Sequence, residues 1–539
     1  MRLRGVPPSL RLWAIVIGLS LLLNACSRPN NENADVTAKR VTAVDKDVPQ
    51  PGGTLTIALS GVDTFDPARA NEASAGGLLI LDMLYDGLVR WDGASGVVAP
   101  AVAKSWTVSS DGLTWTFELD SGAQFSNGRA ITSADVKYSL ERIAARGSAA
   151  LSGVQLTGVK GSGDFVAKRA TELTGLAASD PTKLVVTLSS PYSSLPELLA
   201  SPVFGVVAKE AFDANGALSG DPIASGPFSV MSRTADKLEL ARAAKSRALL
   251  DSVSVTLTKD ANATYELFAK GDAQLASISA EREPDAAIPT IRSDNGVSFF
   301  YGMNVSSPVL SNTALRAAII KAIDRDAIRA KYFAQSGDLA NGLIPTGIDG
   351  HRANPCAAAC AFDAAAAKQM VTAALAGAPA PMIHVDYFAD GTGREADIAK
   401  TIADSLVAAG LQAEPRSHAF EEYHAFVSSG AAELFRFGWV GTFLSPDAYL
   451  TPLFGSGASD NVFGLKDAET DKLITSARGI TDRGERTTKY VALEDRILSL
   501  APVVPIVQYR SVYAVGAAVR GVSPDAAGVV DIERVWLAQ

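Results

Sequence analysis

The chain has few of the residues from which metal and acid–base sites are usually built. Four histidines and three cysteines occur among its 539 residues. Because histidine is the commonest metal ligand and titrates near neutral pH, no histidine-rich metal or catalytic site is expected. The sequence also lacks the GxxxxGK(S/T) phosphate loop, the HExxH zinc motif and the GxSxG nucleophile elbow. These absences predict a protein that is not an enzyme and that carries neither a metal nor a cofactor.

A strongly basic surface is missing as well. The 49 lysines and arginines are outnumbered by 58 aspartates and glutamates, which gives a formal net charge of -9. Nucleic acid needs a positively charged face, so this balance argues against a nucleic-acid partner. The length argues against a single core, because one hydrophobic core stops growing at roughly 250–300 residues. We therefore expect two or more lobes.

The most apolar run of the chain lies at the amino terminus. Arg2, Arg4 and Arg11 form a charged start, and Leu12–Leu23 form the apolar run. The run is shorter than the about 20 residues that span a membrane, which is typical of a signal peptide. It ends in Leu-Asn-Ala-Cys26, which resembles the bacterial lipoprotein box, in which the cysteine is lipidated. The alternative is an uncleaved anchor helix with an incidental cysteine.

Residues 27–50 are polar, with almost no aromatic or aliphatic bulk. This composition is typical of a flexible tether, which would hold the folded part away from the membrane. No later segment is long and apolar enough to span a membrane. We therefore predict a signal peptide over 1–26, a lipid anchor at Cys26, and a folded part that starts near residue 51.

If Cys26 carries lipid, Cys356 and Cys360 remain as a pair. A spacing of four places the two side chains on one face of a helical turn, close to disulfide reach. Outside the cytosol a disulfide persists. A metal pair and two free thiols are the alternatives. Apart from His351, no histidine and no second cysteine pair flanks them, so the pattern favours a disulfide.

Strand patterns dominate the first half of the folded part. Residues 54–59 and 113–119 alternate apolar and polar side chains, as a strand with one buried face does. Residues 183–188 suit a more deeply buried strand. Trp115 and Phe117 fall on the apolar face of their segment, and we predict that they and Trp106 belong to the core.

The second half alternates helix and strand patterns. Residues 312–330 repeat apolar positions at helical spacing, which predicts a helix. Asp363 is a residue type that caps helices, and it predicts a further helix through Leu375. Strand, helix, strand and strand patterns then follow over 383–387, 398–406, 411–420 and 433–443. A strand–helix–strand order predicts an α/β fold with a partly parallel sheet.

A series of short motifs follows in the order of one known family. The densest part lies within residues 100–142 and contains Pro100, Ser105-Trp106, Ser110-Asp111-Gly112, Trp115-Thr116-Phe117, Asn127-Gly128 and Ser139-Leu140-Glu141-Arg142. The remaining matches are Asp66-Pro67, Leu84-Tyr85-Asp86-Gly87-Leu88, Ser225-Gly226-Pro227-Phe228, Gly271-Asp272, Ala322-Ile323-Asp324-Arg325 and Gly438-Trp439. This ordered set resembles the family-5 extracellular solute-binding proteins, which include the oligopeptide- and dipeptide-binding proteins of ABC importers.

The resemblance implies a two-lobed α/β fold of the type II periplasmic-binding-protein kind, enlarged with an extra subdomain. Crossing strands would join the lobes, and ligand would bind in the cleft between them, with closure by hinge motion. The first lobe would span 51–305 plus 505–539, with the extra subdomain at about 86–200, and the second lobe 306–504.

The resemblance also implies where a ligand would bind. The first-lobe segment that pairs with a peptide falls at Asn71, Glu72 and Ala73. Asn304 matches the family's asparagine at the lobe crossing. The second-lobe segment comprises five successive residues: Gly438, Trp439, Val440, Gly441 and Thr442. A peptide backbone held as an added strand would bind with affinity but without side-chain selectivity.

The sequence departs from the family at one of these positions. Peptide-binding relatives often carry an aspartate, which pairs with the ligand's α-amino group, where this chain has Thr442. A buried ammonium without a charged partner is costly. Either another acid replaces it, with Glu72 and Asp447 as candidates, or the ligand lacks a free amine at that place.

The function that the resemblance implies is capture of peptides, or of a similar solute, and delivery to an ABC permease with its ATPase subunits. The protein would act outside the cytoplasm, as a lipid-anchored monomer on the membrane. The alternatives are a non-peptide solute, a sensory surface lipoprotein on the same fold, and a secreted hydrolase.

Overall fold

The computed structural model describes residues 48–147, 153, 155–282 and 288–538. The predicted signal peptide, the lipidation site Cys26 and most of the predicted tether lie outside the described residues. Within the described residues, no helix has both the length and the apolar character that crossing a membrane requires.

The bounds of the strands and helices follow in chain order. The strands are β1 (Thr54–Ser60), β2 (Val89–Asp92), β3 (Val97–Pro100), β4 (Ala103–Val108), β5 (Thr114–Leu119), β6 (Leu176–Asp180), β7 (Lys183–Thr187), β8 (Phe228–Arg233), β9 (Lys237–Arg242), β10 (Ser252–Thr258), β11 (Leu275–Ile278), β12 (Thr290–Met303), β13 (Gly337–Leu339), β14 (Met382–Phe388), β15 (Gln412–His418), β16 (Leu434–Val440), β17 (Val503–Val515), β18 (Val519–Arg520) and β19 (Trp536–Leu537). The helices are α1 (Ala75–Leu84), α2 (Ser133–Ala144), α3 (Ser162–Val166), α4 (Leu195–Leu199), α5 (Ala261–Lys270), α6 (Thr313–Ala322), α7 (Arg325–Tyr332), α8 (Ala357–Cys360), α9 (Ala364–Leu375), α10 (Arg394–Ala408), α11 (Phe420–Ser428), α12 (Asp447–Phe454), α13 (Ala468–Gly479) and α14 (Arg483–Leu500).

One mixed sheet runs through both lobes. Its strands lie in the order β15-β14-β16-β12-β17-β11-β1-β10-β9-β8, and β13 pairs beside β17. β1 pairs in parallel with β10 and β11, and β14 pairs in parallel with β15 and β16. The other pairs of this sheet are antiparallel. The predicted α/β class with a partly parallel sheet is confirmed.

The two long strands β12 and β17 connect the halves of this sheet. β12 pairs with β17 on both sides of a register shift between Asp294 and Ser298. Beyond that shift, from Val297 onward, β12 also pairs with β16 of the second lobe. β17 pairs with β11 of the first lobe through residues 512–515. Both strands therefore pass from one lobe to the other, while the predicted lobe boundaries at 305/306 and 504/505 stay a prediction.

The register shift in β12 contains Gly296. Any other residue at this position would force neighbouring atoms to move. Gly296 has φ +66, in the left-handed region that favours glycine. A Cβ at this position would lie 2.5 Å from the hydroxyl oxygen of Tyr449 and 3.2 Å from the carbonyl oxygen of Ala526. The bend thus brings three parts of the chain into close contact: the crossing strand, α12 and the carboxy-terminal segment.

A separate antiparallel sheet, in the order β4-β5-β7-β6, packs against α2 in the first lobe. The predicted strand over 113–119 is β5, and its Trp115 and Phe117 are 5% and 0% exposed. The prediction that they belong to the core is confirmed, whereas Trp106 is only partly buried and packs against the core. α2 begins with a capping box in which the side chain of Asp135 accepts a hydrogen bond from the backbone N–H of Thr132 at 2.9 Å.

The single helix predicted over 312–330 is wrong, because the structure has two helices there. α6 ends at Ala322, and Ile323 adopts an extended backbone with φ -95 and ψ 117. The side chain of Asp324 then accepts a hydrogen bond from Ala327 N–H at 2.9 Å and caps α7. An aspartate competes for backbone donors and therefore favours a new helix start over continuation.

The prediction of a helix capped by Asp363 is confirmed. The Asp363 side chain accepts a hydrogen bond from Ala366 N–H at 2.8 Å, and α9 runs to Leu375. A cap of this type contributes about 1 kcal/mol. Nearby, the sulfur atoms of Cys356 and Cys360 are joined as a disulfide, and both residues are buried.

The close packing around Gly296 in the bend of β12 can be tested by substitution. We expect Gly296→Ala to destabilise the protein more than Gly216→Ala, although both glycines have left-handed φ values of +66 and +72. A Cβ at Gly216 meets no atom within 4 Å. The control should lose about 1 kcal/mol from backbone strain alone, and Gly296→Ala about 1–3 kcal/mol more from the steric clash. Urea unfolding of both variants measures the difference, and equal losses would contradict the packing described for the bend.

Candidate functional site

A cleft lies between the two lobes, and we call it the interlobe cleft. It encloses about 570 Å³ of space, part of which is open to solvent. Five parts of the chain contribute to its wall: the segment that leads into α1, the extra subdomain, the bend in β12, the segment after β16, and a carboxy-terminal loop. The polar and charged residues among them are Glu72, Glu197, Ser201, Asn295, Thr442 and Asp525.

The segment before α1 places two predicted residues on the cleft. Asn71 accepts a hydrogen bond from Ala73 N–H through its side-chain oxygen at 3.0 Å, which forms a tight turn. Ser74 then caps α1 by accepting from Gly77 N–H at 3.2 Å. This turn sets Glu72 and Ala73 into the cleft wall, where Glu72 is only 5% exposed. Asn71 shapes the turn and is not among the residues that line the cleft.

The segment after β16 supplies the facing wall. β16 is buried along its whole length and ends at Val440, so residues 440–444 emerge at the cleft. A Cβ on Gly441 would lie 2.3 Å from the ring carbon that carries the Tyr449 hydroxyl. Only glycine permits this approach, which holds the segment against α12. The predicted ligand-binding residues Val440, Gly441 and Thr442 therefore lie on the cleft, across from Glu72 and Ala73.

Three other predicted site residues have contacts elsewhere. The side-chain nitrogen of Asn304 donates to the carbonyl oxygens of Gly430 and Ala432 at 2.9 and 3.2 Å, which ties the end of β12 to the second lobe. Gly438 lies within the sheet opposite Phe299. Neither residue lines the cleft.

Trp439 lines a different, apolar cavity together with Phe300, Leu453 and Phe454. Its indole N–H donates to the carbonyl oxygen of Ala448 at 2.7 Å, and the residue is 7% exposed. The structure thus gives this side chain a packing role between β16 and α12, and its contact with a ligand stays a prediction.

The suggestion that Asp447 replaces the missing family aspartate is wrong. Asp447 is 0% exposed, and its oxygens accept hydrogen bonds from Arg478 at 2.9 and 2.8 Å and from Thr451 and Tyr490 at 2.7 and 2.8 Å. Burial raises its pKa, but the Arg478 charge and these hydrogen bonds hold the pKa below the usual value. Because both carboxylate oxygens are buried and already accept hydrogen bonds from protein side chains, Asp447 cannot bind a ligand.

Four polar residues of the cleft were not predicted from the sequence: Glu197 and Ser201, and the pair Asn295 and Asp525. Asn295 belongs to the bend in β12 and is 7% exposed. Asp525 belongs to the carboxy-terminal loop, and burial raises its pKa to about 6. Neither Asn295 nor Asp525 belongs to a recognisable motif, because both reach the cleft only through the pairing of distant strands. In the described part of the chain, no group of three or more histidine, cysteine or acidic side chains is placed to hold a metal ion.

The lobes touch each other directly beside the cleft. Arg486 of α14 donates to the carbonyl oxygen of Ser193 at 3.2 Å and forms an ion pair with Glu197 of the extra subdomain. Arg483 donates to the carbonyl oxygen of Gly96 at 2.7 Å. Burial raises the pKa of Glu197, and the charge of Arg486 opposes this effect. The two arginines of α14 therefore connect the second lobe to the extra subdomain beside the cleft.

Replacing Arg486 tests whether this contact between the lobes stabilises the closed form. We expect Arg486→Ala to shift the empty protein toward an open form, because the Glu197 carboxylate would lose its buried partner and favour solvent. Arg496→Ala is the matched control, since Arg496 lies on the same helix but pairs with Asp467 of its own lobe, at 2.6 Å. Small-angle X-ray scattering should give a larger radius of gyration for the first variant alone. Identical scattering of both variants would exclude a closure role for Arg486.

Comparison with known proteins agrees with this geometry. Residues 97–461 match the family described as bacterial extracellular solute-binding proteins, family 5. The "Probable di/tripeptide-binding protein 5" of Pseudomonas aeruginosa is 23% identical over 532 residues, which cover 90% of this chain and 96% of that protein. The "Glutathione-binding protein GsiB" of an Escherichia coli strain is 25% identical over 480 residues, which cover 84% of this chain and 88% of that protein.

Solved structures show the same fold. The structure of HbpA2 from Haemophilus parasuis superposes with a TM-score of 0.79 at 20% identity, over 90% of this chain and 100% of that one. The two-lobed fold with a cleft between the lobes is therefore shared with a protein of almost the same extent.

Proposed function

Because the chain belongs to the family-5 bacterial extracellular solute-binding proteins, we propose that it captures a solute in the interlobe cleft and delivers it to the permease of an ABC importer. The observation that carries the proposal is the cleft itself, whose walls come from both lobes and from the strand that crosses between them. A solute bound there contacts both lobes at once, so binding favours the closed form over the open one.

The mechanism that we propose is capture, closure and release, without covalent chemistry. In the open form the cleft admits the solute, and in the closed form the α14 arginines contact the extra subdomain. At the bend around Gly296, the paired residues of β12 skip from Asp294 to Ser298, so few hydrogen bonds to β17 would oppose a hinge motion there. The permease would distinguish loaded from empty protein by the relative position of the lobes.

We propose that the solute is a peptide or a similar extended molecule. The segments at Glu72–Ala73 and after Val440 are irregular backbone on opposite cleft walls, which suits pairing with an extended ligand between them. The names of the Pseudomonas and Escherichia relatives, a di/tripeptide-binding and a glutathione-binding protein, support this class. Thr442 in place of the expected aspartate favours the second candidate, a non-peptide solute on the same fold.

The proposal includes the place of action. A lipid on Cys26 would hold the protein on the outer side of the membrane, and residues 27–50 would let the folded part reach the permease. The protein would act as a monomer, since capture requires only the two lobes of one chain.

The nature of the solute can be read from protein purified without denaturation. We expect native mass spectrometry of the chain from residue 27 onward to show added mass, since a closed cleft retains its ligand. Release and sequencing of the bound material should give a ladder of short peptides. A single non-peptide mass would replace the peptide by another solute, and turnover of a peptide or ester panel would instead indicate a hydrolase.

A further inference from the structure

The interlobe cleft carries acidic groups and no basic ones. Its lining includes the carboxylates of Glu72, Glu197 and Asp525, and none of the described residues that line it is lysine, arginine or histidine. Glu197 is already paired with Arg486. The charged side chains that line the cleft are therefore all acidic, which favours a cationic group of a ligand over a carboxylate.

Asp525 has one carboxylate oxygen bound and the other available. Oδ1 accepts hydrogen bonds from Ala527 N–H and Val529 N–H, both at 2.9 Å. No hydrogen bond or ion pair reaches Oδ2 from the described residues. The bonds to Oδ1 hold the side chain in one orientation, so Oδ2 is a preorganised acceptor on the cleft wall.

The loop that carries Asp525 has a structural twin far from the cleft. Asp213 accepts from the N–H groups of Asn215 and Ala217 at 2.8 and 2.9 Å, with the same spacing along the chain. Both loops contain a left-handed glycine three residues after the aspartate, and both are closed by a β-bridge. Asp213 is exposed and lines no part of the cleft. In both loops the aspartate stabilises the loop by accepting two backbone N–H groups. Of the two aspartates, only Asp525 lines the cleft.

Asn295 lies on the same wall and has an unused donor. It is 7% exposed, and its Oδ1 accepts from Val297 N–H at 3.2 Å. No group of the described residues accepts a hydrogen bond from its Nδ2, although the residue is more than nine-tenths buried and lines the cleft. The Nδ2 atom keeps contact with the open space of the cleft, so an acceptor on a ligand can replace water there. The bend thus presents a donor and Asp525 presents an anionic acceptor.

We infer that Asp525 and Asn295 together bind the ammonium-bearing end of the solute, Asp525 through the ammonium group and Asn295 through a neighbouring carbonyl oxygen. The inference rests on the proposed function and specifies the class of solute as an α-amino compound with a free amine. It assigns to the carboxy-terminal loop the charge that Thr442 does not supply. An ammonium beside a carbonyl is the amino-terminal unit of a peptide, and it matches an acceptor and a donor set side by side.

The acidic residues near Asp525 contribute little to its charge environment. A neighbouring cavity, which shares Trp91, Ser201 and Asp525 with the cleft, is lined by Asp82 and Asp86. No ion pair reaches either aspartate from the described residues. Burial raises the pKa of both carboxyl groups, to about 7 for Asp86, and Arg90 lines the same cavity, so these two aspartates add little negative charge at the shared wall.

Three pools of tripeptide amides that differ only at the amino terminus test the inference. The pools contain uncharged side chains in mixed sequence and carry a free amine, an acetyl cap or a succinyl cap, so the charge at that end is positive, zero or negative. The full chain is purified in detergent, exchanged free of bound material, and incubated with each pool, and native mass spectrometry measures the bound fraction. We expect at least about tenfold more binding of the free-amine pool than of either capped pool.

Asp525→Asn should reduce binding of the free-amine pool about tenfold, to the level of the acetylated pool, because the charge is lost while Oδ1 can still accept its two N–H groups. Asp213→Asn makes the same change in the twin loop and should leave binding unaltered. Equal or better binding of a capped pool by the unmodified protein overturns the inference and leaves peptide capture standing. Binding of none of the three pools removes the proposed peptide capture itself.

Discussion

The pairing of β12 with β17 is the interaction on which the rest of the structure depends. These two strands place both lobes on one continuous sheet, and their hydrogen bonds fix how far the lobes can move apart. The register of this pairing shifts at the bend between Asp294 and Ser298 and again between Phe299 and Phe300. The shift at the bend turns Asn295 toward the cleft and brings Gly296 against Tyr449 and Ala526. In the proposed mechanism, the hinge and part of the binding wall would be built from the same few residues, so closure and binding would be coupled through the chain.

Charge is distributed in the second lobe and in the cleft according to one physical rule. A buried carboxylate costs several kcal/mol unless partners compensate for lost solvation. Asp447 receives four hydrogen bonds and remains ionised as part of the core. Asp525 receives only two, both on one oxygen, and its pKa is raised to about 6. A partly compensated carboxylate beside open space gains from a cation, whereas a fully compensated one does not.

Much of the fold follows from local patterns in the sequence. Alternation predicted β1 and β5, and the Asp363 cap predicted the start of α9, because a strand face and a capping side chain are decided by neighbours in sequence. The helix over 312–330 was wrongly predicted as continuous, since its periodicity outweighed the capping tendency of Asp324. The family resemblance led to the segments at Glu72–Ala73 and Val440–Thr442, which lie on opposite walls of the cleft.

The rest of the cleft could not be predicted from the sequence for a physical reason. Asn295 and Asp525 are separated by more than two hundred residues and meet only because β12 and β17 cross between the lobes. The loop of Asp525 has the same local pattern as that of Asp213, so sequence cannot tell which of the two lines the cleft. Trp439 shows the opposite case, a residue that the sequence placed in the cleft and that packs between β16 and α12 instead. Sequence alone does not tell which face of its strand an aromatic side chain takes.

A crystal structure of the protein with its own recovered solute tests the central claim most directly. The account predicts density for the solute between Glu72–Ala73 and Val440–Thr442, with the lobes closed and a cationic group against Asp525. Density outside the interlobe cleft, or a solute held by one lobe while the other stands apart, would contradict it.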